Sequence, residues 1–336
     1  MTGTLFDVAP LERPARAPRV DVVLPAPRRP DPVDDRPQQA AARAAGVPHL
    51  TDWTRDRRPD GDPARRVAFY LGCHQPRWLE TAPVPLFIAA QRLAAYRRRG
   101  EDMPRPYTPY AIDSGGFTEL SKHGMWTLSE DEYGGMITRF MLDMGPPRFV
   151  APQDWMCEPW IVAKTGLSVE IHQELTVENY LYLTREFPHV PWIPVLQGWQ
   201  LADYARHVEA YAAAGIDLAD EPLVGLGSVC RREATAEIGA IVTALHGMGI
   251  RMHGFGVKRA GFTRYGHLLE SADSLAWSFG ARRRQIRLPD CTHAAEDCRN
   301  CLTYALTWRE TTLNGLRHPK GAEDPHQTAL RLDATA

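Results

Sequence analysis

A dominant charge is missing from this chain. Its 336 residues carry 39 Lys and Arg against 41 Asp and Glu, a net charge of -2. A global polyanion-binding signature is therefore excluded, and any positive charge for a polynucleotide has to be local. Long apolar runs are missing too; none reaches the roughly 20 residues that span a bilayer. The first residues lack the charged-then-apolar layout of a signal peptide. No membrane association is expected, and the expected location is the cytoplasm. Cysteine is scarce, at six residues, which excludes a disulfide scaffold at this length. Cys73, Cys157 and Cys230 are scattered, whereas Cys291, Cys298 and Cys301 cluster, and in a reducing compartment a cluster reads as a metal site. Apolar residues are plentiful, at 44%, enough for a sizeable core.

Composition divides the chain. Residues 1–65 are rich in Pro, Arg, Asp and Ala and poor in large apolar residues. Such a segment cannot bury enough surface to offset its ordering entropy. It reads as a disordered arm with a short helix around Ala40–Ala45, and residues 319–336 read as a flexible tail. Between them, strands and helices alternate. Candidate strands are "VAFYLG" (67–72), "VPLFIA" (84–89), "YAID" (110–113), "RFVAPQ" (148–153), "WIPVLQ" (192–197), "LVGLG" (223–227), "RMHGFGV" (251–257) and "LAWSF" (275–279). Most are short continuous apolar runs, as parallel strands buried on both faces require. Helices are predicted over 201–215 and 235–249, and one opening with Ser129 and Glu132 in capping-box positions. The expected fold is α/β, a (β/α)8 TIM barrel over residues 66–318 that includes an inserted or C-terminal structural zinc subdomain at 288–318. A doubly wound sheet is the competitor, but "GLGSVC" lacks the third glycine of a dinucleotide fingerprint.

In a barrel the site forms where the strands end. Read there, the chain offers Asp113, Asp154, Gln197 with Gly198, Gly227 with Ser228, and Lys258. Asp273 stands just before the last predicted strand. A lone Asp after a strand is commonly a helix cap or turn residue. Several carboxylates, a glutamine and glycines at one rim are harder to explain that way. Gly115, Gly116, Gly198, Gly225 and Gly227 would let a flat ligand approach backbone. Phe117 and Phe255 are either core residues or the two faces of a base sandwich. Three carboxylates in one pocket suit glycosyl-bond chemistry, whose oxocarbenium-like transition state needs a nearby anion.

"CTHAAEDCRNC" places Cys291, His293, Cys298 and Cys301 together, a ligand set for a closed tetrahedral zinc site that would be structural. His318 is the rival fourth ligand. Arg231 and Arg232, Lys258 and Arg259, and Arg282, Arg283 and Arg284 each follow a predicted strand end. They form either a basic collar for a polynucleotide or the ordinary loops of an arginine-rich chain.

Taken in order, "DSGGF" (113–117), "APQDWMCEP" (151–159), "VLQGW" (195–199), "VGLGS" (224–228), "GFGVK" (254–258), "SADSLAW" (271–277) and the Cys-rich segment resemble the tRNA-guanine transglycosylases over residues 67–318. "FYLGCHQPRWL" (69–79) and the absence of a recognisable appended RNA-binding domain resemble the DpdA-type deazapurine DNA transglycosylases more closely. The zinc spacing departs from the usual Cys-x-Cys-x2-Cys with a distant His. The resemblance implies exchange of guanine in DNA for a 7-deazaguanine such as preQ0, with tRNA as the alternative acceptor. By position, Asp273 resembles the nucleophile and Asp113 the carboxylate that handles the base and its proton. Asp154, Gln197, Gly198 and the Gly225–Leu226–Gly227 backbone resemble the base-reading groups. Ser114, Gly115, Gly116, Phe117, Phe255 and Gly256 resemble the rest of the base pocket. Zinc is the implied metal, and a homodimer or helper DNA-modification proteins are the implied further partners. The implied setting is a bacterial cell or a phage-infected host. The competing functions are a non-catalytic zinc-bearing barrel that binds nucleic acid and a simple glycoside hydrolase using Asp113 and Asp273.

Overall fold

The structure is a computed structural model and describes residues 67–229 and 236–317. The expected arm, its helix around Ala40–Ala45, the tail, and Arg231, Arg232 and His318 lie outside the described residues.

Seven parallel strands among the described residues form one sheet in the order β3-β2-β1-β7-β6-β5-β4. They are β1 (Ala68–Cys73), β2 (Leu86–Ala89), β3 (Tyr110–Asp113), β4 (Val195–Leu196), β5 (Val224–Leu226), β6 (Met252–Gly254) and β7 (Ser271–Ser274). The helices between them are α1 (Trp78–Thr81), α2 (Ala90–Arg98), α3 (Gly116–His123), α4 (Glu130–Met144), α5 (Pro159–Thr165), α6 (Val169–Glu186), α7 (Leu201–Ala213), α8 (Ala236–Gly247), α9 (Arg259–Tyr265) and α10 (Ala276–Arg284), with α11 (Leu302–Arg317) last. Ser129 caps α4 in a full capping box with Glu132, as its sequence predicts.

Two expectations are corrected. The segment 148–153 is not a full strand. It contributes parallel bridges from Val150 to Ile112 and to Trp192. Arg148, Val150 and Ala151 donate to the Tyr110, Pro191 and Ile112 carbonyls, and Pro152 on this segment and Pro191 and Pro194 on its partner stop the pairing from extending. The segment 275–279 is not a strand either. It opens α10, and the last strand is the small, polar stretch Ser271–Ser274, so Asp273 lies inside a strand rather than ahead of one.

The sheet is curled. Period-two alternation sends Leu71, Ile112, Val150, Leu196, Val224, Leu226 and Ala272 outward to the large core beneath the helices. The alternate residues Tyr70, Phe87, Ala111, Phe149 and Ile193 meet in a separate inner cluster, with Phe255 packed against it. Residues from strands far apart in the sheet order touch there only because the sheet wraps around them, as in TIM-like architecture. The Val150 bridges connect the β3 edge to the residues just before β4.

Candidate active site

The same alternation builds the site. Towards the strands' C-terminal ends, beyond the inner apolar layer, the next inward positions of four strands line the site. Asp113 follows Ala111, Gln197 follows Val195, Gly227 follows Gly225 and Asp273 follows Ser271. Asp154 arrives from the loop after the Val150 bridge. Together they line a cavity of about 300 Å³, which also includes Ser114, Phe117, Phe255 and Gly256. That volume is at the small end of ligand pockets and suits a single heterocycle.

The three carboxylates have different surroundings. Asp154 is buried; its Oδ1 accepts the Ser114 hydroxyl at 2.8 Å and its Oδ2 accepts Gln197 Nε2 at 2.5 Å. Burial pushes its carboxyl above the usual range, and these two donors pull it partly back. Asp113 is pushed up to about 7, first by burial and then by the negative charges of Asp154 and Asp273. Near neutral pH it can therefore hold or release a proton, as a general acid–base group must. Asp273 Oδ1 accepts the Gly256 backbone N–H at 2.9 Å. Cys73 also lines the cavity, but burial holds its thiol up at about 12, which removes it as a thiolate nucleophile.

Gln197 is fixed on every side. Its backbone N–H donates to His207 Nδ1 at 2.9 Å, and its carbonyl accepts Gln173 Nε2 at 2.7 Å. Its Oε1 accepts the Ser228 hydroxyl at 2.6 Å. Ser228 Oγ also lies 2.9 Å from Glu158 Oε2 and accepts the Cys157 N–H at 2.9 Å. Its single proton serves one carbonyl or carboxylate oxygen at a time.

Several glycines make room for side chains rather than directly for a ligand. A Cβ at Gly225 would stand 2.5 Å from the Phe255 ring, one at Gly227 2.2 Å from the Gln197 amide, and one at Gly198 2.9 Å from the Asp203 side chain. At Gly115 the backbone is left-handed, φ 80°, and a Cβ would overlap Gln91, whose Nε2 donates to the Ser114 carbonyl at 2.9 Å. Gly198, Gly225 and Leu226 do not reach the cavity; Leu226 faces the outer core. Phe255 stacks on Phe87 with centroids 5.9 Å apart, and Phe117 is substantially exposed, at 41%.

The basic residues divide. Lys258 and Arg259 at the start of α9 share a neighbouring groove of about 610 Å³ with Arg283 and Arg284 from the last turn of α10 and Trp308 from α11. Arg282 lies outside that groove, and its charge helps hold the Asp297 carboxyl low, behind the larger effect of Arg299. Sequence reasoning missed Arg92 and His74, which line the carboxylate cavity. It also missed Gln91, Glu158 and the buried His253. The signal for His253 was a histidine in the middle of an otherwise apolar strand.

Cys291, His293, Cys298 and Cys301 converge, their ligand atoms all within 4.8 Å of one another. Cys291 Sγ is 3.5 Å from Cys298 Sγ and 3.4 Å from Cys301 Sγ, and His293 Nε2 is 3.5 Å from Cys298 Sγ. Three sulfurs and one imidazole at these separations fit a tetrahedral metal such as zinc without a further ligand. This loop is tied to the cavity wall. Asn300 hydrogen-bonds His74, His74 stacks on Trp277 at 5.8 Å, and Trp277 Nε1 donates to the Gly72 carbonyl at 2.9 Å.

Among the described residues no helix is long and apolar enough to cross a membrane. One family model matches residues 65–334, that of DpdA, DeoxyPurine in DNA protein A. Among curated proteins, none matches the chain.

Proposed function

The chain belongs to the DpdA family, and from that premise we propose that it exchanges guanine in DNA for a 7-deazaguanine base by double displacement through a covalent Asp273–sugar ester. The observation that carries this reading is the convergence of Asp113, Asp154 and Asp273 on one cavity of about 300 Å³, with three different electrostatic surroundings.

The target nucleotide must leave its stack, because the cavity admits a single base. Asp154, with both oxygens already ordered, accepts N–H groups from the guanine edge. Phe255 and the exposed Phe117 flank the ring. An oxygen of Asp273 attacks C1′ as the C1′–N9 bond breaks, and the leaving base takes the Asp113 proton together with the bonding electron pair. The 7-deazaguanine then enters, Asp113 as carboxylate takes its N9 proton, N9 attacks C1′, and Asp273 leaves. Two inversions give net retention. Arg92 and the groove of Lys258, Arg259, Arg283 and Arg284 supply cations for the phosphates on either side. The Cys291/His293/Cys298/Cys301 set would hold zinc with all four positions filled by protein, a structural role. The curl and the Val150 bridges support a complete (β/α)8 barrel as the scaffold.

The test is an exchange assay with radiolabelled preQ0, plasmid DNA and bulk tRNA as separate acceptors, beside Asp273→Ala. Label in DNA that disappears in the variant supports the reading. Label in tRNA alone moves the chain to the tRNA acceptor. Label in neither, from folded zinc-replete protein, removes the stand-alone enzyme, and release of free guanine without exchange makes it a hydrolase.

A further inference from the structure

His253 is fully buried in the inner layer, and the exchange mechanism leaves it unused. The rings of Phe149, Phe255, Phe87 and Tyr70 enclose it at centroid distances of 4.8, 4.9, 5.3 and 6.0 Å. A polar ring among four aromatics is costly to bury unless both nitrogens are used. Nδ1 lies 2.8 Å from Ser271 Oγ, its register partner on β7. Nε2 forms no hydrogen bond within ordinary limits, and the acceptor it faces is Asp273 Oδ1, at 3.4 Å. Ser271 and Asp273 are two residues apart on one strand, so the same inward face carries both ends of the contact.

We propose that His253 is a positioning residue for Asp273. The Ser271 hydroxyl donates to Nδ1, which places the ring proton on Nε2. Nε2–H and the Gly256 amide then hold the same carboxylate oxygen, Oδ1, and leave Oδ2 to attack C1′. The contact closes by a few tenths of an ångström once substrate fills the cavity, as catalytic hydrogen bonds commonly do. The Gly256 amide already occupies Oδ1 in this structure, and the closing His253 contact completes the choice of Oδ2 as the attacking oxygen. This inference rests on the reading of Asp273 as the nucleophile.

The experiment compares His253→Gln, which keeps a donor near Nε2, with His253→Met, which keeps volume and loses it. Full-length protein is assayed for preQ0 incorporation into DNA. His253→Met is expected to lower kcat about 10–100-fold, the scale of a misplaced reacting group, with KM for DNA and preQ0 within about twofold. His253→Gln is expected to recover most of that loss. Wild-type kcat in a folded Met variant overturns the inference, and so does equal loss in both variants. A second readout needs no turnover: the 15N shifts of the His253 ring in histidine-labelled wild type. A protonated, pyrrole-type Nε2 at neutral pH is expected, and a pyridine-type Nε2 overturns the assignment whether or not the protein exchanges bases. A chain that exchanges nothing removes the reaction reading and leaves His253 to be judged on that nitrogen.

Discussion

Gln197 Nε2 donates to Asp154 Oδ2 at 2.5 Å, and this one bond orients both side chains. With its nitrogen committed to Asp154, the amide must turn its oxygen to Ser228. Asp154, held from both sides, keeps only its outward lone pairs for a ligand. A donor-rich heterocycle edge is what such a carboxylate selects. Asp154→Asn swaps an acceptor for a donor at that edge. It is expected to weaken 7-deazaguanine binding about 10–100-fold, the worth of a charged hydrogen bond, with the thermal midpoint retained. Calorimetric titration of free base checks this.

Asp113 gives a pH test with a definite sign. Its carboxyl is pushed up to about 7 in the fold, against an ordinary value near 4. In the proposed mechanism the first displacement needs it protonated, so the rate of ester formation is expected to fall as pH rises through about 7. Single-turnover guanine release measures that limb.

The same group affects stability. Between about pH 4 and 7 the native state binds a proton that the unfolded chain has lost. Stability from this group is full below that window and declines as pH rises through it. Asp113→Asn removes the decline. The variant is expected to melt a few degrees above wild type at pH 8, at about 2–4 °C per kcal/mol for a domain of this size, and to show a smaller difference at pH 5. Thermal melts at the two pH values compare them.

Metal removal is expected to reach the cavity as well as the loop. Elemental analysis should find about one zinc per chain, and Cys301→Ser should lower both zinc content and melting temperature. Because Asn300 holds His74 and His74 lines the cavity, chelation should also weaken preQ0 binding before global unfolding. Base binding that survives until the chain unfolds would sever that link.

The groove predicts a salt signature. Arg283→Ala with Arg284→Ala should lower DNA affinity similarly for all sequences. It should also reduce the slope of log K against log salt by about 0.7–0.9 per lost phosphate contact. Fluorescence anisotropy between 50 and 200 mM salt measures the slope.

Much of this was legible in the chain. Apolar runs ending in Asp113 and Gln197 announce buried parallel strands with polar tips, and the capping box at Ser129 announces α4. The last strand was not legible, because Ser271–Ser274 carries none of the branched or aromatic residues that mark strands. Its inward positions carry Ser271 and Asp273, and its backbone runs so close to β1 that residue 72 must be glycine: a Cβ on Gly72 would meet the Ser274 carbonyl at 2.6 Å. "LAWSF" is the more strand-like pattern, yet Trp277 is anchored from a helix. Gly198, Gly225 and Gly227 read as ligand clearance. Their empty Cβ positions are taken by Tyr204, Phe255 and Gln197 itself, partners that no local pattern reveals. His253 escaped for the same reason: its meaning depends on two residues in another strand.

Ser228 holds a left-handed backbone, φ 56°, where glycine is the natural occupant. Holding a side chain there costs on the order of 1 kcal/mol. Its hydroxyl nevertheless stands where the Gln197 amide, the Glu158 carboxylate and the Cys157 amide meet. Backbone preference and pocket chemistry therefore pull in opposite directions at this residue. A search for more stable variants would drift towards Ser228→Gly, and the sturdier protein so obtained would keep Gln197 tied to Asp154 through its nitrogen while leaving its amide oxygen without the Ser228 donor.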